Sequence, residues 1–193
     1  VIYEGGWPYN MDKDAIVDPG WDSEPADGTT LPEFIAVDQY GDQVSLYDFA
    51  GRGRPVILDV GTKWCSPCQA IAAYLSTGDT TQLMEEYDQY WWEEEYEGLF
   101  ELVQSGGISW VTILFSTSET SGPATEADAA EWHEAYENPM VPVLADTDLT
   151  LHDFLDIQSF PAISVVDEGM VFEVFDNSGP YGALRYLGEL LAE

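Results

Sequence analysis

The segment RPVILDVGTKWCSPCQAIAAYLSTG, residues 54–78, changes its periodicity midway, and that change decides how the chain folds. Its first part, RPVILDVG, is a short β-branched apolar run of the kind that forms a strand covered on both faces. From Ser66 the spacing becomes helical. Ile71, Tyr74 and Leu75 share a face, Pro67 sits in the first turn and Gly78 marks the C-cap. The only two cysteines, Cys65 and Cys68, therefore lie where a strand feeds the N-terminus of a helix. Free N–H groups and the positive end of the helix dipole stabilise a thiolate at such a place. Cys65 is the better nucleophile on this reading. Cys68, one turn inside, is more buried and placed to attack a mixed disulfide formed on Cys65.

Two other roles compete for the pair. A structural zinc site wants about four ligands, and the two scattered histidines, His133 and His152, supply no second ligand pair at usual spacing. A purely structural disulfide across so short a loop would constrain the unfolded chain little, because that constraint grows with loop length.

Composition bounds the rest. The 193 residues are 45% apolar, enough for one substantial core. Asp and Glu number 37 against 5 Lys and Arg, a formal net charge of -32. Such a surface repels phosphates and anionic lipid, which excludes nucleic acid and membrane-surface partners. The acids are spread along the chain, as on a solvated surface adapted to salt or secretion; attraction to a basic partner is the alternative. No apolar run is long enough to span a bilayer. The sequence opens at Val1 without a basic or apolar leader, which says nothing about compartment.

Outward from the cysteines, residues 1–30 are rich in Gly, Pro and Asp and have no sustained period. They read as an irregular acidic extension or tether, which Trp7, Tyr9 and Trp21 would pack against the domain. FIAVDQYGDQVSL predicts a β-hairpin turning at Gly41. ISWVTILFS (108–116) predicts a strand, and TEADAAEWHEAYEN a helix opened by Thr125 and Asp128 as a near-capping box. PVLAD predicts a short strand and TDLTLHDFLDI a helix. SFPAISVVD and MVFEVF predict paired strands, and GPYGALRYLGELLA a closing amphipathic helix. Residues 79–105 are longer than a compact domain needs and predict one or two helices with Leu83, Tyr87, Trp91, Leu99 and Leu102 inside. Trp92 and Tyr96 fall off that stripe and are expected to pack on the N-terminal extension, a partner surface being the alternative. Neither Glu93–Glu95 nor DTDLT has the glycine and spaced oxygens of a calcium loop.

The segment DVGTKWCSPCQ resembles the active site of thioredoxin-fold proteins, with Trp64 before the first cysteine, Pro67 before the second and Asp59 six residues upstream. The element order, β-α-β-α then β-β-α, is similar to that fold. The N-terminal hairpin and LPEF…VSLYDFAGRGRPVILDV look like its extracytoplasmic TlpA/ResA-type, redoxin branch. The resemblance covers residues 31–193. It implies an α/β protein whose central mixed sheet is flanked by helices, with a hairpin extension and a helical insertion at 79–105. It also implies a thiol-disulfide oxidoreductase, a disulfide reductase outside the cytoplasm, with Cys65 and Cys68 as the redox couple and no cofactor or metal. Protein disulfides would be its substrates and an upstream dithiol its electron donor, with the N-terminal segment suited to a tether.

The family pattern further assigns Pro161 as a cis proline facing the cysteines, with Phe160 before it, beside which an extended substrate segment would bind. Asp59 matches the buried acid behind the second cysteine, where desolvation would raise its pKa and let it relay the proton of Cys68. Trp64, Ser66 and Pro67 would shield and tune the site, and Lys63 would either lower the Cys65 pKa or face solvent. Three readings of function stay open at this level. Beside the reductase stands a peroxiredoxin-like peroxidase, suggested by Thr62 but opposed by Leu58, where that pattern has proline. The third is a non-catalytic or copper-binding protein using Cys65, Cys68 and His152, whose relatives usually space the cysteines by three. If the host keeps a salty cytoplasm, the same acidic surface would be expected inside the cell.

Overall fold

The computed structural model describes residues 2–87, 90–116 and 122–192; positions 88–89 of the expected insertion lie outside them. Seven strands form one mixed sheet: β1 (Ile35–Asp38), β2 (Gln43–Ser45), β3 (Val56–Thr62), β4 (Ser109–Ser116), β5 (Val143–Ala145), β6 (Ala162–Val166) and β7 (Phe172–Val174). Their spatial order is β2-β1-β5-β4-β3-β6-β7. Strands β3, β4 and β5 run parallel, and β6, β7 and the β1–β2 hairpin join antiparallel. Helices α1 (Ser66–Thr77), α2 (Thr81–Glu86), α3 (Leu99–Gln104), α4 (Glu126–Ala135), α5 (Thr150–Leu155) and α6 (Tyr181–Leu191) complete the architecture.

β3 lies between β4 and β6 and is buried at every position, as its unbroken apolar run requires. Val56, Leu58 and Val60 enter one core with Leu31, Leu46 and Phe172, while Ile57 enters the other with Ile71, Leu75 and Leu187. The hairpin turns at Gly41, whose φ of 89° is left-handed. α4 carries the full reciprocal capping box between Thr125 and Asp128. α5 is shorter than the pattern suggested, because Leu149 and Asp156 take left-handed backbone at its two ends.

Among its described residues the insertion holds two six-residue helices, within the one or two expected, with a 3-10 turn at Glu94–Tyr96 between them. Adjacent acids and aromatics between Tyr87 and Tyr96 favour no long helix. Trp92 and Tyr96 are buried, and not against the N-terminal extension. Trp92 packs edge-on to Tyr74 of α1, with ring centroids 5.0 Å apart, and meets Tyr96 at 5.8 Å. The Tyr74 hydroxyl fastens the insertion by donating to the Glu97 carbonyl and accepting from the Phe100 N–H. A helical stripe misplaces both rings, since Trp92 and Tyr96 lie in the irregular stretch and 3-10 turn between the two helices.

The N-terminal segment is laid along the opposite side of the molecule. Tyr3 and Trp7 are buried there; Tyr9 and Trp21 are partly exposed, Tyr9 against Tyr3 and the Lys13 ammonium and Trp21 edge-on to Phe34 and Phe154. Among the described residues no helix is long and apolar enough to cross a membrane.

Candidate active site

β3 ends at Thr62, the chain turns through Lys63 and Trp64, and α1 begins at Ser66. Cys65 is the N-cap of that helix. Its Sγ accepts the Cys68 N–H at 3.2 Å, so the sulfur stands at the positive helix end that the spacing implied. Cys65 and Cys68 are joined as a disulfide, and both are nearly buried. Gln69 closes the turn by donating its side-chain amide to the Lys63 carbonyl at 2.6 Å.

Gly61 is a contributor that sequence reasoning missed. A β-carbon there would lie 3.1 Å from Cys68 Sγ and 3.3 Å from its Cβ, so the absent side chain lets the second cysteine seat against the sheet. A glycine inside an otherwise bulky strand was the available signal.

Asp59 lies two residues back on the same face of β3, about 7 Å along the strand. It is 3% exposed. Trp110 Nε1 and Thr112 Oγ1, on the neighbouring β4, both donate to its Oδ2, at 3.2 and 3.3 Å; its buried Oδ1 has no partner among the described residues. Burial outweighs those two hydrogen bonds and pushes the carboxyl up from 3.8 to about 6. Trp110 and Thr112 were invisible as partners because they are 51 and 53 residues away and meet Asp59 only through parallel pairing.

The Phe160–Pro161 peptide is cis, immediately before β6, which pairs with the Val60 end of β3. Phe160 packs into the cluster that holds both cysteines and meets exposed Trp64 edge-on at 5.8 Å. On its other side lies Phe115, at 4.9 Å, which in turn stacks on His152 at 4.4 Å. This row of rings, with Phe115 and His152 unforeseen, makes one wall of the site. His152 Nδ1 also lies 2.9 Å from Asp153 Oδ1. Behind the wall, buried Asp146 accepts the His152 N–H at 2.8 Å, and burial raises its carboxyl to about 6. Among the described residues no three His, Cys, Asp or Glu side chains gather as a metal site.

The remaining positions fall as follows. Ser66 is exposed and Pro67 half-buried in the first turn of α1. Thr62 is buried, its hydroxyl without a partner among the described residues, and its carbonyl accepts the Cys65 N–H at 3.2 Å. Lys63 neither reaches freely into solvent nor stands free beside the sulfur: α4 holds its ammonium through Asp128 Oδ1 at 3.1 Å and through Glu131.

No family model and no curated protein matches the chain. Solved structures do. A thiol:disulfide interchange protein from Bacteroides sp. is 19% identical, with 87% of this chain and 91% of that one covered at a TM-score of 0.55. A secreted Mycobacterium tuberculosis disulfide oxidoreductase, described as homologous to E. coli DsbE, is 18% identical over 82% and 94%, at 0.52. A conserved protein of unknown function from Bacteroides fragilis is 16% identical over 84% and 99%, at 0.57. The chain has the thioredoxin-like fold.

Proposed function

We propose that this protein is a thiol-disulfide oxidoreductase that works as a disulfide reductase through Cys65 and Cys68. The observation that carries the reading is one juxtaposition: a cysteine pair capping a helix, beside a Phe–cis-Pro step and in front of a buried, half-partnered carboxylate. In the reduced form the Cys65 thiolate attacks one sulfur of a substrate disulfide, forming a mixed disulfide and expelling the other substrate sulfur as a thiolate. Cys68 gives up its proton, and its thiolate then attacks Cys65 Sγ. That step releases the second substrate sulfur and leaves the Cys65–Cys68 disulfide, two electrons having passed to the substrate. A dithiol donor restores the pair by the same exchange in reverse.

Asp59, two residues before Gly61 on the same strand face, is the acceptor for the Cys68 proton, because a carboxyl titrating near 6 can take and return a proton at neutral pH. Trp64 and Phe160 offer an apolar contact for an extended substrate segment. Direction and compartment rest on likeness: the reducing direction follows from the resemblance of the sequence to TlpA/ResA-type reductases, and a place outside the cytoplasm is supported by a structural neighbour that is a secreted disulfide oxidoreductase.

Insulin reduction with a dithiol donor tests the reading. Cys65→Ser abolishes turnover, and Cys68→Ser accumulates mixed disulfides on Cys65; full activity in either variant refutes the mechanism. Peroxide consumption or stoichiometric Cu(I) uptake, without disulfide exchange, would favour the two other chemistries.

A further inference from the structure

The row of rings beside the disulfide ends in a pair of side chains that the redox chemistry does not use, His152 and Asp153. Buried Phe115 backs the row; Trp64, 40% exposed, half-buried Phe160 and His152, whose side chain is 25% exposed, form its accessible surface. Traced through the ring centres, Trp64 and His152 are at most about 15 Å apart, the reach of four or five extended residues. A substrate segment running along the row from Trp64 thus brings a side chain near its cysteine to His152.

The chemistry at that end is one-sided. A carboxylate only accepts hydrogen bonds, so the 2.9 Å contact with Asp153 Oδ1 puts the proton of the neutral imidazole on Nδ1. Nε2 is then an acceptor, and it has no hydrogen-bond partner among the described residues. The Asp153 side chain is 74% exposed, and its Oδ2 likewise has no partner among them. Two open acceptors therefore stand together at the end of an aromatic face. At the Trp64 end, Lys63 is already held by Asp128 and Glu131 and offers an acidic side chain little. The group that fits is a flat cationic donor: a guanidinium stacks on rings and forks to paired acceptors, and a lysine ammonium does both less well. We infer that His152 and Asp153 are specificity-determining residues that select substrates with an arginine within about five residues of the disulfide cysteine. The inference rests on the proposed exchange at Cys65 and narrows its substrates from protein disulfides in general to those in basic segments. A chain of net charge -32 attracts any cationic peptide, but that long-range pull is screened at 1 M salt, where the Debye length is about 3 Å.

The test uses glycine–serine peptides with one cysteine in a mixed disulfide with mercaptoethanol, and with Arg, Lys, Gly or Glu at successive positions up to about ten residues away on either side. The dithiol-reduced protein is mixed with each at about pH 8 and 1 M salt. Each event frees the peptide thiol and mercaptoethanol and leaves Cys65–Cys68 oxidised. The second-order rate constant should favour Arg over Glu by about fivefold at positions within reach of the row, with Lys between them, and the preference should vanish beyond it. Asp153→Asn, and His152→Phe, which keeps the stack on Phe115 but removes both nitrogens, should each cut that ratio to about twofold or less. Glu173→Gln, the same loss of charge at an exposed position of β7, should keep it. Equal rates for all peptides, a preference indifferent to position, or one that survives both variants overturns the inference and leaves the redox reading in place. Reduction of none of the peptides refutes the redox reading and the inference with it.

Discussion

Asp38 and Asp48 on one side of the molecule, and Asp59 on the other, are all buried carboxylates, but they are partnered very differently. Asp48 accepts the Tyr3 hydroxyl at 2.5 Å, the Asn10 N–H at 3.1 Å and the Lys13 ammonium at 3.2 Å. Asp38 accepts the Trp7 indole N–H at 2.6 Å and the Tyr40 and Asp42 amides, each at 2.9 Å. Both oxygens of each are occupied, and together these two acids clasp residues 3–13 to the hairpin and to the 3-10 turn Leu46–Phe49 that follows it. Asp59 uses one oxygen, for two longer hydrogen bonds, and leaves the other bare. A saturated buried carboxylate fastens structure, since its charge is matched by donors it cannot easily exchange. A half-partnered one keeps capacity for a proton, which suits it to chemistry.

The contrast can be broken by mutation. Asp48→Ala strands the Tyr3 hydroxyl, leaves the Lys13 ammonium only the more distant Glu33, and should lower stability by about 3 kcal/mol in denaturant titrations, with little change in thiol exchange. Asp59→Asn should do the reverse. The Asp59 carboxyl is raised in the folded state, so folding favours its protonated form; stability is greatest below the unfolded value of 3.8 and declines as pH rises through about 6. That decline is roughly 3 kcal/mol by pH 7 and should be absent in Asp59→Asn, so the difference between the two pH profiles isolates it. Asp146, raised to the same region, remains in both proteins and cancels. The same variant should slow release of the mixed disulfide about a hundredfold at pH 7 while leaving the initial attack by Cys65 near wild type.

Smaller effects sharpen the picture. Gly61→Ala forces Cys68 back by a few tenths of an ångström and should cost about 1–2 kcal/mol in the oxidised protein, measured by thermal unfolding. Asp128→Asn combined with Glu131→Gln removes two negative charges near the site and frees the Lys63 ammonium. The Cys65 thiol pKa, read from thiolate absorbance, should fall by about one unit at low salt and by less at high salt. An unchanged value would mean that the α4 clamp has no electrostatic hold on the sulfur.

What the sequence disclosed followed from short range. The break of period at Ser66, the capping box at Thr125 and the turn at Gly41 are written within a few residues each, and the fold order followed from them. WCSPC and Phe160–Pro161 were legible as motifs, and the structure places them at one edge. What escaped was set by contacts across the chain. The donors to Asp59 come from β4, the wall of Phe115 and His152 exists only once β4 and α5 are packed, and the Asp38–Asp48 clasp needs residues some 30 to 45 positions apart. Trp92 and Tyr96 were misplaced for the same reason, since their neighbour Tyr74 lies on α1.

The proposed reduction requires Cys65–Cys68 to be a working couple, and the most direct measurement is its reduction potential, taken in graded dithiol/disulfide buffers at high salt. A reversible two-electron transition near or below about −250 mV is the expected result, that of an electron donor. A value above about −150 mV would reverse the proposed direction, and a pair that never exchanges would contradict the central claim and leave a structural disulfide at the head of α1.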